Sequence, residues 1–305
     1  MLHHEKELFE DLILRASQDF GIDTAIIEKD YYVSLLLAEI KKNVPNVIFK
    51  GGTSLSKCYH LIDRFSEDID ISVFETNKPT EGQRRNLKEK VIASVETLGF
   101  TLDNPDEIRS RREFNRYVIS YPTVFEASAI NQKLIVETAA FIGIYPTEER
   151  EAGNYLYEYI EQNDLLKKID SEIIKPFRVK VQSLERTFVD KVFALGDYYL
   201  AGTITEHSRH IYDLYRLLEV ISLDTDLAAL AAKVREERKG HKTCLSAQDG
   251  IDMNTLLVEI AGTDAFKADY ESVTYYLLFK KVSYEEAKTA LIRIVDAGIF
   301  NSSNE

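Results

Sequence analysis

Two neighbouring stretches decide how this chain folds: Phe49-Lys-Gly-Gly-Thr-Ser-Leu-Ser-Lys57 and Arg64-Phe-Ser-Glu-Asp-Ile-Asp-Ile71. The residues before the first, Asn46-Val-Ile-Phe49, read as a short buried strand. Gly51-Gly52 is the only Gly-Gly pair in the chain, and Thr53-Ser54 after it is a helix-start signal. Leu55, Cys58, Tyr59 and Ile62 then form one helical stripe, and Ile69 to Phe74 reads as a second strand. Strand, glycine turn and helix start suit an anion. Glycine lets a phosphate approach without a Cβ in the way, and free backbone N–H groups point outward. The hydroxyls of Thr53 and Ser54 and the ammonium of Lys57 stand within reach of the same anion. A plain helix cap after a tight turn is the competing reading.

Asp68 and Asp70 lie two apart at the start of the second strand, so both carboxylates look one way while Ile69 and Ile71 look into the core. Two close carboxylates repel unless a cation lies between them, and Mg²⁺ held by a few carboxylates and nucleotide phosphates is the usual answer. Asp68 follows Gly52 by 16 residues, enough to run out along a helix and back. Cradle and carboxylate pair together suit in-line attack on phosphorus, with two metals stabilising the attacking and leaving oxygens. The pattern recurs at Asp224-Thr-Asp226 without a glycine turn, which reads as a helix start. Glu137 is the best third carboxylate, because Lys133, Ile135 and Glu137 share one strand face. That face neighbours the aspartates only if the two strands are adjacent; otherwise Glu137 is an exposed strand-end residue.

Outward from this centre, Leu8 to Lys42 reads as two helices parted near Gly21. A charged helix is expected over Thr80 to Leu98, and strands over Arg116–Tyr121 and Lys133–Thr138. After Gly153 the pattern turns helical: Leu184–Leu200, His210–Val220, Leu227–Glu237, Tyr270–Phe279 and Tyr284–Ala297, interrupted by one strand at Phe177–Val181. The expected architecture is α+β, a mixed sheet with flanking helices over residues 1–182 and a mainly helical domain over 183–305.

With 305 residues, a net charge of −13 and a mean hydropathy of −0.23, the chain is unsuited to coating nucleic acid non-specifically. Any nucleic-acid contact must come from a local basic patch. Arg109, Arg111, Arg112 and Arg116, with Tyr117 and Tyr121 nearby, form the best one, as guides for RNA phosphates and platforms for unstacked bases. A solvated hairpin edge is the alternative. Two cysteines cannot make a disulfide framework, the amino terminus lacks a signal-peptide core, and no run approaches the roughly 20 apolar residues of a membrane helix. A cytoplasmic location is expected. His207, His210 and His241 show no zinc spacing.

Lys50 to Lys57 with Arg64 to Ile71 resembles the signature of the AbiEii/AbiGii toxin family, a branch of the DNA polymerase β-type nucleotidyltransferases. Arg186-Thr-Phe-Val-Asp-Lys-Val-Phe-Ala-Leu195 is similar to the family's lysine-bearing helix. Ser208-Arg-His-Ile-Tyr-Asp-Leu-Tyr-Arg-Leu217 is similar to its Arg…Tyr-Asp-Leu motif, and the likeness runs from about Tyr32 to Ile294. It implies a polymerase β-like sheet and a type IV toxin of a toxin–antitoxin or phage-defence pair, with a cognate antitoxin as partner. Such an enzyme transfers a nucleoside monophosphate from an NTP with Mg²⁺, and relatives modify tRNA 3′ ends. Carried over, Asp68 and Asp70 are metal ligands, Lys191 a nucleotide-phosphate contact and Asp213 a carboxylate near the metal or nucleotide. Ser66 falls with the nucleotide-binding set Gly51, Gly52, Thr53, Ser54 and Lys57, and matches a serine that in some relatives is phosphorylated to silence the enzyme. From the residues alone, Lys191 beside an apolar stripe reads as solvated, and Asp213 as an ion-pair partner of Arg209 one turn earlier. An acceptor that is a protein or small molecule, or a nucleotide-binding module without turnover, are the alternatives.

Overall fold

The short strand β1 (Ile48–Lys50) lies inside a seven-stranded mixed sheet of order β3-β4-β5-β2-β1-β7-β6. In the computed structural model the described residues are 1–66, 68–75, 78–125, 132–169 and 171–301. Two compact units emerge: Met1–His60 with Phe65–Gln182, and Leu61–Arg64 with Ser183–Glu305.

The first unit opens with helices α1 (Lys6–Phe20) and α2 (Thr24–Asn43), parted by Gly21 in the left-handed conformation. β1 runs straight into α3 (Gly51–Lys57), so the helix starts two residues before the expected Thr53. β2 (Asp68–Ser72), α4 (Glu81–Thr97), β3 (Thr101–Leu102), β4 (Phe114–Ser120) and β5 (Leu134–Ala139) follow. β6 (Thr147–Ala152), α5 (Tyr155–Gln162) and β7 (Phe177–Gln182) complete the unit. β2 pairs antiparallel with β1 and parallel with β5, while β7 pairs parallel with β1. Phe49, Ile69, Ile71, Tyr117, Ile119 and Val136 alternate onto one fully buried face, and α2 packs on β2 and β5. β6 reads Thr-Glu-Glu-Arg-Glu-Ala, and its charges suit the sheet edge it occupies, which is why its composition does not announce a strand.

The second unit is helical: α6 (Leu184–Ala201), α7 (Arg209–Leu217), α8 (Thr225–Lys239), α9 (Met253–Gly262) and α12 (Tyr284–Ala297). Asp224 caps α8 by accepting from the N–H groups of Asp226 and Leu227, the helix-start role expected of that aspartate pair. The continuous helix expected over Tyr270–Phe279 is broken. Short turns α10 (Lys267–Asp269) and α11 (Tyr275–Leu277) flank a π-helical Tyr270–Thr274, and Leu278 is extended, bridging antiparallel to Arg64. Both cysteines are free and buried, and no helix among the described residues is long and apolar enough to cross a membrane.

Candidate active site

Register brings the carboxylates together. Lys50 on β1 pairs with Asp70 on β2, Asp70 pairs with Glu137 on β5, and Glu137 pairs with Arg116 on β4. Directly paired residues point to the same side of a sheet, so the four side chains form one row across four strands. Asp68 projects from the same face, opposite Ile135. The adjacency that strand order left open for Glu137 is therefore met.

The electrostatics of the row are those of crowded negative charge. Burial, then Asp70 and Asp68, push the Glu137 carboxyl up to about 7, against the opposing pull of Lys50 and Arg116. Arg116 reaches Glu137 at 3.5 Å, at the weak end of ion-pair geometry. Gly51 supplies the other wall. Its φ of +78° is a glycine conformation, and a Cβ there would overlap the Asp70 carboxylate. Any other residue at 51 would push the aspartate away from the start of α3.

The hydroxyls of α3 face inward. Thr53 Oγ1 lies 2.9 Å from Ser66 Oγ, tying the first turn to the segment before β2. Ser54, fully buried, donates to the Gly51 carbonyl at 2.8 Å. Lys57, expected to reach the anion, is instead enclosed: its ammonium meets the Asp30 carboxylate, and donates to Ser34 Oγ at 2.7 Å and to the Asp30 carbonyl at 3.2 Å. The second Asp30 oxygen accepts from the Tyr155 N–H at 3.0 Å, so the Lys57 pair joins α2, α3 and α5. Asp30 and Ser34 had no signal in a single sequence, since only folding brings them to Lys57.

Lys191 and Asp213 meet within the second unit. Asp213 is 0 % exposed; its carboxylate accepts from Arg64 Nε at 2.7 Å, Arg64 Nη2 at 2.8 Å and Lys191 Nζ at 2.6 Å. Burial alone would raise this carboxyl, but the guanidinium and ammonium outweigh it and hold Asp213 well below the usual carboxylate range. The partner expected at one turn's distance, Arg209, is replaced in this direct contact by a residue 149 positions away.

The basic patch is only partly as expected. Arg111 is exposed beside Glu81 at 3.5 Å, Arg112 donates to the Glu107 carbonyl at 3.1 Å, and Arg109 to that of Ile108 at 3.3 Å. Tyr117 and Tyr121, at 1 % and 9 % exposure, belong to the core, Tyr121 packing on Tyr32 at 4.6 Å between ring centres. They offer no face to a base. The reason is phase: residues 117, 119 and 121 alternate inward, and residues 114 and 116 outward. Among the described residues no group of three or more His, Cys, Asp or Glu side chains is set closely enough to hold a metal ion as it stands. The donor set nonetheless fits Mg²⁺, which takes one or two carboxylates and completes its shell with water and phosphate oxygens. The elevated Glu137 carboxyl is the local sign that positive charge is wanted there.

No curated protein sequence matches this chain significantly. A solved structure, MenT4, the nucleotidyltransferase toxin Rv2826c from Mycobacterium tuberculosis H37Rv, superposes with a TM-score of 0.61 at 14% identity, covering 97% of this chain and 90% of that one. At that identity the likeness shows a shared fold. The family model for the nucleotidyl transferase AbiEii toxin of type IV toxin–antitoxin systems matches residues 35–291. That span includes the glycine turn, the aspartate pair, Glu137, Lys191 and Asp213, and the chain thus belongs to the AbiEii family of nucleotidyltransferase toxins.

Proposed function

We propose that this nucleotidyltransferase transfers a nucleoside monophosphate from an NTP to RNA, at the 3′ end of a tRNA, in a Mg²⁺-dependent reaction in the cytoplasm that blocks translation until a cognate antitoxin intervenes. The observation that carries the reading is the Asp70–Glu137 register, which sets a third carboxylate beside the aspartate pair. Asp68, Asp70 and Glu137 would hold the metal, which supplies charge neutralisation at the transferring phosphate and a lowered pKa for the attacking hydroxyl. The triphosphate lies over the first turn of α3, beside Gly51, whose lack of a Cβ lets the Asp70 carboxylate close on that turn. Ser66 steadies that turn through Thr53.

Chemically, the acceptor's 3′ oxygen bonds to the α-phosphorus, the bond to the bridging oxygen breaks, and pyrophosphate leaves. The proton of the attacking hydroxyl passes to water; Glu137, its carboxyl pushed up to about 7, would accept it where Asp68 and Asp70 alone hold the metal. For Lys191 the family resemblance implies a nucleotide-phosphate contact; its side chain is nearly fully buried and its ammonium donates to Asp213 at 2.6 Å. Arg109, Arg111, Arg112 and Arg116 guide the acceptor's phosphates.

The test is label transfer from each common NTP, labelled at the α-phosphate, into a total tRNA pool with Mg²⁺, alongside the Asp68→Asn, Asp70→Asn double variant. Label in RNA from one NTP, absent in the variant, is expected. Label in protein or in a small molecule, with RNA unlabelled, overturns the acceptor assignment. Charge reversal at Arg111 and Arg112 should weaken RNA binding and flatten its salt dependence; unchanged affinity and slope remove those arginines from the RNA path.

A further inference from the structure

One aromatic side chain on the carboxylate face of the sheet is unaccounted for. Phe114 begins β4, two residues from Arg116 and therefore on the same face, and it is 44 % exposed. A single exposed apolar residue is ordinary on a protein surface. Its surroundings are not ordinary. Phe114 pairs directly with Ala139 on β5, and beyond Ala139 comes Ser72 of β2, whose hydroxyl donates to the Ala139 carbonyl at 3.0 Å. Ser72 is fully buried, so the low ground beside the ring is the small, partly exposed Ala139. The next row on the same face is Lys50, Asp70, Glu137 and Arg116. Just before Phe114 in the chain come the arginines at 109, 111 and 112, with Arg111 almost fully exposed.

We infer that Phe114 is a stacking platform for an unpaired base at the end of the acceptor strand, with Arg116 beside it to meet the adjoining phosphate. The inference rests on the RNA-acceptor reading above and names the part of the acceptor that is gripped. Three observations favour a polynucleotide end over another occupant. A flat apolar ring next to a guanidinium is the pair that holds bases and phosphates in single-stranded sites. Ala139, the partner of Phe114 on β5, is small and partly exposed, so it raises no wall beside the ring against a flat group. The carboxylates lie one row along the strands, so a nucleotide stacked here presents its sugar hydroxyl toward the site of attack. A duplex cannot use this grip, because its bases are already stacked on one another.

The chain contains no tryptophan, so Phe114→Trp creates a single fluorescent reporter at the proposed contact. A short single-stranded oligoribonucleotide should quench that fluorescence, while the blunt duplex of the same sequence and Mg-NTP alone should not. Phe114→Ala should weaken oligonucleotide binding about tenfold and raise the acceptor KM likewise, with the NTP KM unchanged. Phe114→Tyr should stay close to wild type. Quenching by Mg-NTP alone would assign the ring to the donor base and overturn the inference, as would equal quenching by duplex. If the wild-type enzyme labels RNA while Phe114→Ala binds and turns over acceptor normally, this inference alone falls. If the wild-type enzyme labels no RNA, the acceptor reading fails and takes this inference with it.

Discussion

The two units each gather opposite charges, and they do so on opposite terms. In the helical unit Asp213, Arg64 and Lys191 are sealed from water, and the one carboxylate receives three charge-assisted hydrogen bonds. On the sheet, Asp68, Asp70 and Glu137 share a face with Lys50 and Arg116, stay partly exposed, and leave Glu137 poised near neutrality. A cluster satisfied from within has a folding task already. A crowd of carboxylates whose mutual repulsion is tolerated in the folded state is a place kept for a cation. The contrast separates what holds the chain from what handles the substrate.

The largest effect expected from this contrast is on activity. Asp70→Asn should lower nucleotidyl transfer by about a thousandfold, since metal-held charge stabilisation is lost in the transition state. Its thermal midpoint should stay level or rise, because a like charge beside Glu137 has gone. A matching loss of stability would make the row a structural feature like the buried cluster. Asp213→Asn is the converse case. It leaves Arg64 and Lys191 buried against a neutral group, and urea unfolding should show about 3–5 kcal/mol of lost stability. An Asp213 variant that folds as firmly as wild type but has lost transfer would move this carboxylate to the substrate.

Lys57 sharpens the same line within the first unit. Its ammonium is enclosed by Asp30, Ser34 and backbone oxygens, so Lys57→Met should behave like Asp213→Asn, with roughly 3 kcal/mol of destabilisation. The NTP KM of the folded fraction should be unchanged. A raised NTP KM with stability intact would restore Lys57 to the phosphates.

The glycine turn, the aspartate pair and the helices α6 and α7 were legible because each depends on residues close together in the chain. Asp68 and Asp70 declare their shared face through spacing alone, and Asp224 its capping role through the residues just after it. What could not be read is pairing at long range. Glu137 meets Asp70 only because β5 docks beside β2, and Arg64 meets Asp213 across 149 positions. Lys57 reads from the sequence as a phosphate contact and Lys191 as a solvated lysine, yet both are interior once their partners arrive. The aromatic reading failed for a different reason. The alternation that puts Tyr117 and Tyr121 on one face is present in the sequence, but which face meets the core is set by what packs on the sheet, and Phe114 lies outside the expected Arg116–Tyr121 strand.

The subtlest consequence of the contrast is in pH. Glu137 has its carboxyl raised in the folded state from an ordinary value of 4.5 to about 7, so between those values the folded chain binds the proton that the unfolded chain has released. Stability rises with pH only where the unfolded state holds more protons, so here the sign is reversed. The contribution is fully present below about pH 4.5 and is lost as pH climbs through about 7. Asp213, held low, contributes in the opposite sense, its stabilisation fading only as pH falls toward strongly acid conditions. Glu137→Gln should therefore be more stable than wild type at pH 8 by about 1–2 kcal/mol and nearly equal to it at pH 5, read from urea midpoints at both values. Millimolar Mg²⁺ should recover part of the difference in the wild type at pH 8, because a bound cation favours the ionised carboxylate. The glutamine variant should recover less. If the two proteins track each other across the range, with and without Mg²⁺, neither burial nor the aspartates raise the Glu137 carboxyl, and the sheet face loses the property that distinguishes it from the buried cluster.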